Sequence, residues 1–447
     1  MKLLLKNGDI LDPFTGDRKE IDILVDGSKV KTIARNITDK DASIIDAKDK
    51  IVMPGLVDVH VHFREPGQEY KETIYTGSRA AAAGGFTTVV AEPNTEPPID
   101  TPSRIKKVLN IASDQSIVNF YSKASITRRT EGKRLVDVRA LKAAGAVAIS
   151  DDGHPVYGER LMKNALEAGA KYDILVSPHC EESEFYRQKV FKKNKGRKHP
   201  PSSPNLMPYS SDPKPYTSEE GLIKRDIELA ERTGARIHIS HVSRAESVEI
   251  IAKAKKRGVA VTAEATPHHF LLSEEDADEI GTNAKVNPPL RSEEDVAAIK
   301  SGLIDGTIDI IATDHAPHSP EDKSVPWQHA PFGIIGLETA LGLVLTYLVQ
   351  PKLLTIPQVI EKMSVKPAQI YGLSSAGSLM EGQPADITLI DPKKNWRVNA
   401  NQFYSKGRNC PFDGWELCGK AVMTIVAGRV VMKDGQIIEG DAGRNAQ

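Results

Sequence analysis

Eight short apolar runs recur through the middle of the chain, separated by segments of helical periodicity, and this alternation limits the fold more than any other feature. The runs are 56–62, 87–92, 117–121, 146–150, 174–179, 236–241, 259–264 and 308–314. Helical spacing of apolar residues is clearest at 71–83, 103–113, 135–144 and 217–233. Strands that alternate with helices are joined by crossovers and therefore run parallel. Eight such units predict an α/β chain closed into a (β/α)8, TIM-like barrel, with its chemistry at the C-terminal ends of the strands.

The ends of the chain read differently. Residues 2–5, 22–25, 30–34, 44–46 and 51–52 are β-prone runs between Gly/Asp turns, and the same texture returns at 386–390, 421–426, 429–432 and 436–438. At 447 residues the chain is long for a single core. The expectation is therefore a small β-sandwich domain built from residues 1–52 plus 380–447, beside a barrel domain spanning 53–379.

Composition narrows the function classes. The formal net charge is -1, from 59 basic and 60 acidic residues, so neither a nucleic-acid footprint nor a general attraction to anionic membranes is expected. An anionic substrate has to be caught locally. The basic run 189–198 (KVFKKNKGRK) reads as a solvated helix end or loop. No stretch approaches the roughly 20 apolar residues of a membrane helix, and the N-terminal MKLLLKNGD reads as strand and turn rather than as a signal peptide. Three cysteines, Cys180, Cys410 and Cys418, make no paired framework, which fits a reducing, cytoplasmic location. Two long loops stand out: the Pro/Ser-rich 199–216, an irregular excursion, and 315–333, which is placed to act as a lid.

The ends of the runs supply a ligand set. His60 and His62 share a strand face with Cα atoms roughly 6.5 Å apart, so two imidazoles can converge on one ion. Other runs end in His179, His241 and Asp314, and the fourth leads into Asp151 and Asp152. Imidazole and carboxylate donors suit zinc, manganese or a similar divalent ion. Six ligands suffice for one or two zinc ions, and two are expected, bridged by a shared carboxylate. Such a pair would hold a hydroxide with a pKa lowered toward neutrality. His238, three residues before His241, is expected to face the helices. His154, His268, His269 and His315 are expected to orient ligands, and His199 and His329 to be solvated.

The motifs 54–67 (PGLVDVHVHFREPG), 84–88 (GGFTT), 93–95 (PNT), 150–153 (SDDG), 287–291 (NPPLR), 312–318 (ATDHAPH) and 382–386 (GQPAD) give the chain a close resemblance to the dihydroorotases of the amidohydrolase superfamily. The resemblance implies a metal-dependent barrel that interconverts N-carbamoyl-L-aspartate and L-dihydroorotate, the third step of pyrimidine synthesis. It implies His60 and His62 on a first metal, His179 and His241 on a second, Asp152 on both, and Asp314 as ligand and catalytic base. Arg64, Asn94 and His318 would grip the substrate carboxylate, while Asn287 and the backbone at Phe332 and Gly333 would contact the ring, with His62 close by. A homodimer and an association with aspartate transcarbamoylase are further expectations.

Two departures matter. Hydantoinase and allantoinase relatives bridge their metals with a carboxylated lysine at the fourth strand; here 146–152 contains none, and Lys142 lies in the preceding helix. Glu92 precedes Pro93, where an apolar residue is more usual. A hydantoinase- or allantoinase-like hydrolase and a non-catalytic scaffold for aspartate transcarbamoylase are the alternative readings.

Overall fold

The computed structural model describes residues 2–11, 18–181 and 218–439. The basic run 189–198, the loop 199–216 and His199 lie outside them.

All eight expected strands form one parallel sheet in consecutive order: Leu56–Val61, Phe86–Ala91, Asn119–Ala124, Ala146–Ile149, Leu175–Val176, Ile237–Ile239, Val261–Ala265 and Ile310–Ile311. The first and last meet through a parallel bridge between Val61 and His315, and His62 N donates to His315 O at 2.8 Å. The barrel is thereby nearly closed. Several strands are shorter than their apolar runs because the chain leaves the ladder early at the C-terminal rim, which frees the last side chains to project over the mouth.

Alternation along the strands sorts residues to two faces. Val57, Val59, Val90, Ala148, Leu175, Ile310 and Ala312 fill the lower interior, closed from below by Ala368, Tyr371 and Leu373. Leu56, Val61, Val89, Ala91, Ile237 and Ile239 face outward onto the helices. In the first strand, Asp58 pairs with Val89 but Val61 pairs with Ala91, so one extra residue bulges between them. That bulge resets the alternation: Val57 and Val59 face inward below it, His60 and His62 above it.

Local signals set the helices. Ile74–Gly84 starts at a Thr73–Thr76 capping box and stops at Gly85, whose φ of 92° suits only glycine without strain. Its small residues let it lie close to the barrel; a Cβ on Gly77 would come within 2.5 Å of the Phe63 ring.

The two ends of the chain share a second, mixed sheet of nine strands. Lys2–Leu11 pairs antiparallel with Arg18–Asp26 and parallel with Ala42–Asp46 and Ile51–Pro54. Ile51–Pro54 then pairs antiparallel with Ile387–Arg397, joining the N-terminal strands to those near the C-terminus. Leu3, Leu5, Ile23, Val25, Val52, Ile387, Leu389 and Ile425 form its apolar core. Between Ile387–Arg397 and Glu416–Val426, the connection 398–415 leaves this sheet and reaches the barrel mouth.

Candidate metal centre

Two groups of donors converge at the mouth: His60, His62 and Asp314 form one, and His60, Asp152 and His241 the other, all buried, with ligand atoms within 4.8 Å of one another. Asp314 Oδ1 lies 2.9 Å from His62 Nε2, and Asp152 Oδ1 is 3.4–3.5 Å from nitrogens of His60, His179 and His241. His179 falls outside both groups but lies against the second, its Nδ1 2.9 Å from His241 Nε2. Placing these groups costs the backbone something. Arg64, His241 and Asp314 have φ of 60°, 35° and 48°, a region that residues with a Cβ disfavour.

The residues fit a cation. His60 Nε2, Asp152 Oδ1 and His241 Nδ1 are buried with no hydrogen-bond partner, a costly condition that coordination would relieve. Burial disfavours charge on the His60 ring, yet the carboxylates of Glu92, Glu264 and Asp152 overcome it and hold its pKa well above the usual value. Burial likewise pushes Asp152 and Asp314 up, and the surrounding imidazoles more than reverse it, so both stay ionised. Positive charge is wanted at this spot.

Further residues hold the candidate ligands in place. Glu264 accepts from His60 Nδ1 at 2.5 Å, which turns the His60 Nε2 lone pair into the site. The other oxygen of Glu264 binds His238 Nε2 at 3.0 Å. His238 therefore faces the barrel interior and not the helices. Counting back from His241 gives the wrong face because the strand ends at Ile239 and His241 is left-handed. Below His60, Glu92 pairs with Lys123, and both are fully buried. His60 Nε2 is 3.6 Å from Glu92.

Asn94 joins the two halves of the site: its Oδ1 lies 2.8 Å from His62 Nδ1 and its Nδ2 donates to Asp152 Oδ2 at 3.1 Å. Asn287 Nδ2 approaches His179 Nε2 at 3.1 Å. Arg64 is buried beside the cluster, its Nε donating to Pro317 O and its Nη2 3.3 Å from His318 Nε2. His318 Nε2 is 2.7 Å from Phe332 O, next to Gly333. His154 reaches the carbonyl of Asp152, and His315 binds His62 through its own. His268 and His269 instead share Thr266 Oγ1, and His329 is exposed. Lys142 Nζ is committed to the carbonyls of Tyr172 and Asp173 at 2.6 Å each, on the outer side.

The sequence comparisons decide the family. A model described as the amidohydrolase family matches residues 51–431. The chain is 46% identical to the dihydroorotase of Pelotomaculum thermopropionicum, over 97% of this chain and 99% of that one. The chain belongs to the amidohydrolase family, in its dihydroorotase branch. It is also 45% identical to the dihydroorotase of Syntrophus aciditrophicus, over 97% and 100% of the two chains. Among solved structures, the L-hydantoinase (dihydropyrimidinase) from Arthrobacter aurescens superposes with a TM-score of 0.87 at 30% identity, covering 98% of this chain and 97% of that one. The dihydropyrimidinase from Brevibacillus agri, 22% identical with a TM-score of 0.85 over 98% and 96%, shares the fold. As a member of this family the chain is a hydrolase of cyclic amides, and no helix among its described residues is long and apolar enough to cross a membrane.

Proposed function

We propose that this amidohydrolase is a dihydroorotase, closing N-carbamoyl-L-aspartate to L-dihydroorotate with loss of water and reopening it. The observation that carries the reading is Arg64, a buried guanidinium beside the donor cluster and within reach of His318. A fixed guanidinium is a strong partner for a carboxylate on a ring held over the metals.

His60 and His62 are assigned to one zinc ion, His179 and His241 to a second, Asp152 to both, and Asp314 to the first. Bound there, zinc lowers the pKa of water and polarises the carbonyl under attack. The chain's own groups do the rest. In ring opening, Asp314 takes the proton of the attacking water on a carboxylate oxygen and passes it to the ring nitrogen as the C–N bond breaks. Water thus adds across the amide, and closure is the same path reversed. Arg64 and His318, with Asn94 beside them, hold the carboxylate, and Asn287 with the Phe332–Gly333 backbone positions the ring.

A hydantoinase-type activity draws support from the likeness to L-hydantoinase, but the outward commitment of Lys142 supports Asp152, rather than a carboxylated lysine, as the residue that two ions would share. Purified protein with added zinc should turn over dihydroorotate and leave hydantoin and allantoin intact; the opposite preference would overturn the reading. The proposal carries with it a homodimer, testable by light scattering, an association with aspartate transcarbamoylase, testable by co-purification, and a cytoplasmic location, consistent with three free cysteines.

A further inference from the structure

Of the substrate-binding groups named above, His318 and the Phe332–Gly333 backbone lie on the loop after the eighth barrel strand, yet a side chain that ties that loop down comes from near the far end of the chain. Asn409, in the connection 398–415, is 2% exposed. Its Nδ2 donates to Ala316 O at 3.1 Å and to Gly333 O at 2.9 Å, while its Oδ1 accepts from His318 N at 3.1 Å. Two donors and one acceptor of the amide are thus used on both stems of one loop. The Asn409 carbonyl accepts from Ile335 N at 3.0 Å, extending the seam.

The approach is tight on every side. A Cβ on Gly407 would come within 2.8 Å of both Asn409 Oδ1 and Pro317 Cβ, and one on Gly333 within 2.7 Å of Ala316. Arg64 Nε donates to Pro317 O, between Ala316 and His318, two of the residues that Asn409 binds. The span of the loop is held separately: Lys285 Nζ donates to Trp327 O and Ala330 O, and Lys323 Nζ to Thr282 O and Pro331 O. The Asn409 side chain bonds both stems where Arg64, His318 and Gly333 meet, and Lys285 O accepts from Gly333 N at 2.9 Å on one of them.

We propose that Asn409 is a positioning residue for the anion-binding end of the site: it sets His318 and the Gly333 backbone relative to Arg64. The connection between the two sheet strands, and not the barrel alone, then fixes where the substrate carboxylate sits. This rests on the dihydroorotase reading for the identity of the anion, but the clamp itself does not.

The test compares Asn409→Ala with the near-isosteric Asn409→Asp, which keeps the acceptor and turns the donor against two carbonyls. Both should raise KM for dihydroorotate about 10- to 100-fold with kcat within about 3-fold. In an Arg64→Ala background the same change should raise KM far less, because the two residues act on one group. Amide exchange at His318 should quicken at least about 10-fold in zinc-loaded and in chelated protein alike, with the barrel-strand amides unchanged. An unchanged KM, a fall in kcat alone, additive effects with Arg64→Ala, or unaltered exchange at His318 would each overturn the proposal. If wild-type protein does not turn over dihydroorotate, the functional reading fails and the exchange result alone decides the clamp.

Discussion

Two adjacent layers of the same barrel interior have opposite chemistry. The lower layer is aliphatic, with Val57, Val59, Val90, Leu175 and Ile310 closed off by Tyr371. The upper layer crowds His60, His62, Glu92, Lys123, Asp152, His238, Glu264 and Asp314 into the same bore, nearly all fully buried. The lower layer gains from every contact it makes. The upper layer carries desolvated charge, orphaned nitrogens and left-handed backbone at His241 and Asp314. The difference teaches that net stability comes from the lower layer while the upper layer's charges offset one another, so that removing a single donor at the mouth should spare the fold and removing half of a buried ion pair should not.

Asp314→Ala gives the sharpest break. Activity on dihydroorotate should fall on the order of 10³-fold while the melting temperature holds or rises, since a strained, charged residue is removed. A large loss of stability would show that the donors at the mouth hold the fold together as well. Next in size is Lys123→Met, which leaves Glu92 buried without its partner. It should cost about 3–5 kcal/mol in denaturant unfolding, and Glu92→Met in the same chain should recover most of that. Failure of the second change to rescue the first would mean that the pair does more than neutralise itself.

That pair also marks the limit of what the sequence revealed. The eight strands and the shared terminal sheet were legible because apolar periodicity and Gly/Asp punctuation report directly on which residues are buried. His60, His62, Asp152, His179, His241 and Asp314 were legible because they stand where apolar runs stop. Glu92 and Glu264 were not, since a carboxylate at the end of a run looks like the run's own termination. Lys123 displaced the reading of its strand: the third run reads as 117–121, whereas the structure pairs Asn119–Ala124. A lysine in the bore breaks the apolar pattern, and only its pairing with Glu92 makes the position tolerable. Asn409 had no signal at all. It lies in an irregular connection, and its partners are 76 to 93 residues away. The Phe332–Gly333 backbone was placed only by resemblance, because a carbonyl leaves no trace in side-chain identity.

Within the lower layer, Leu175→Ala should cost about 2–5 kcal/mol through the cavity it opens. Leu175 is 2% exposed and packs in the layer below the donor cluster. Activity per folded molecule should stay near wild type at a temperature where the variant is folded. A loss of turnover matching the loss of stability would instead tie the aliphatic layer to the placement of His179, four residues along the same strand end.

The smallest expected effect lies on the seam between the layers. Glu264 lies behind the donor cluster, yet it receives the Nδ1 proton of His60 and so selects which nitrogen faces the proposed metal site. Carboxylates behind metal-binding imidazoles are typically worth about 10- to 100-fold in metal affinity. Glu264→Ala should therefore release zinc to a competing chelator about that much more readily, with turnover at saturating zinc reduced far less. Glu264→Gln keeps an acceptor for His60 but loses the charge, and should fall between the two. If Glu264→Gln retains zinc as well as wild type does, orientation of His60 is the whole of the effect. If it is as poor as Glu264→Ala, the negative charge beneath His60 draws the cation in, and the upper layer depends on its buried charge as much as on its geometry.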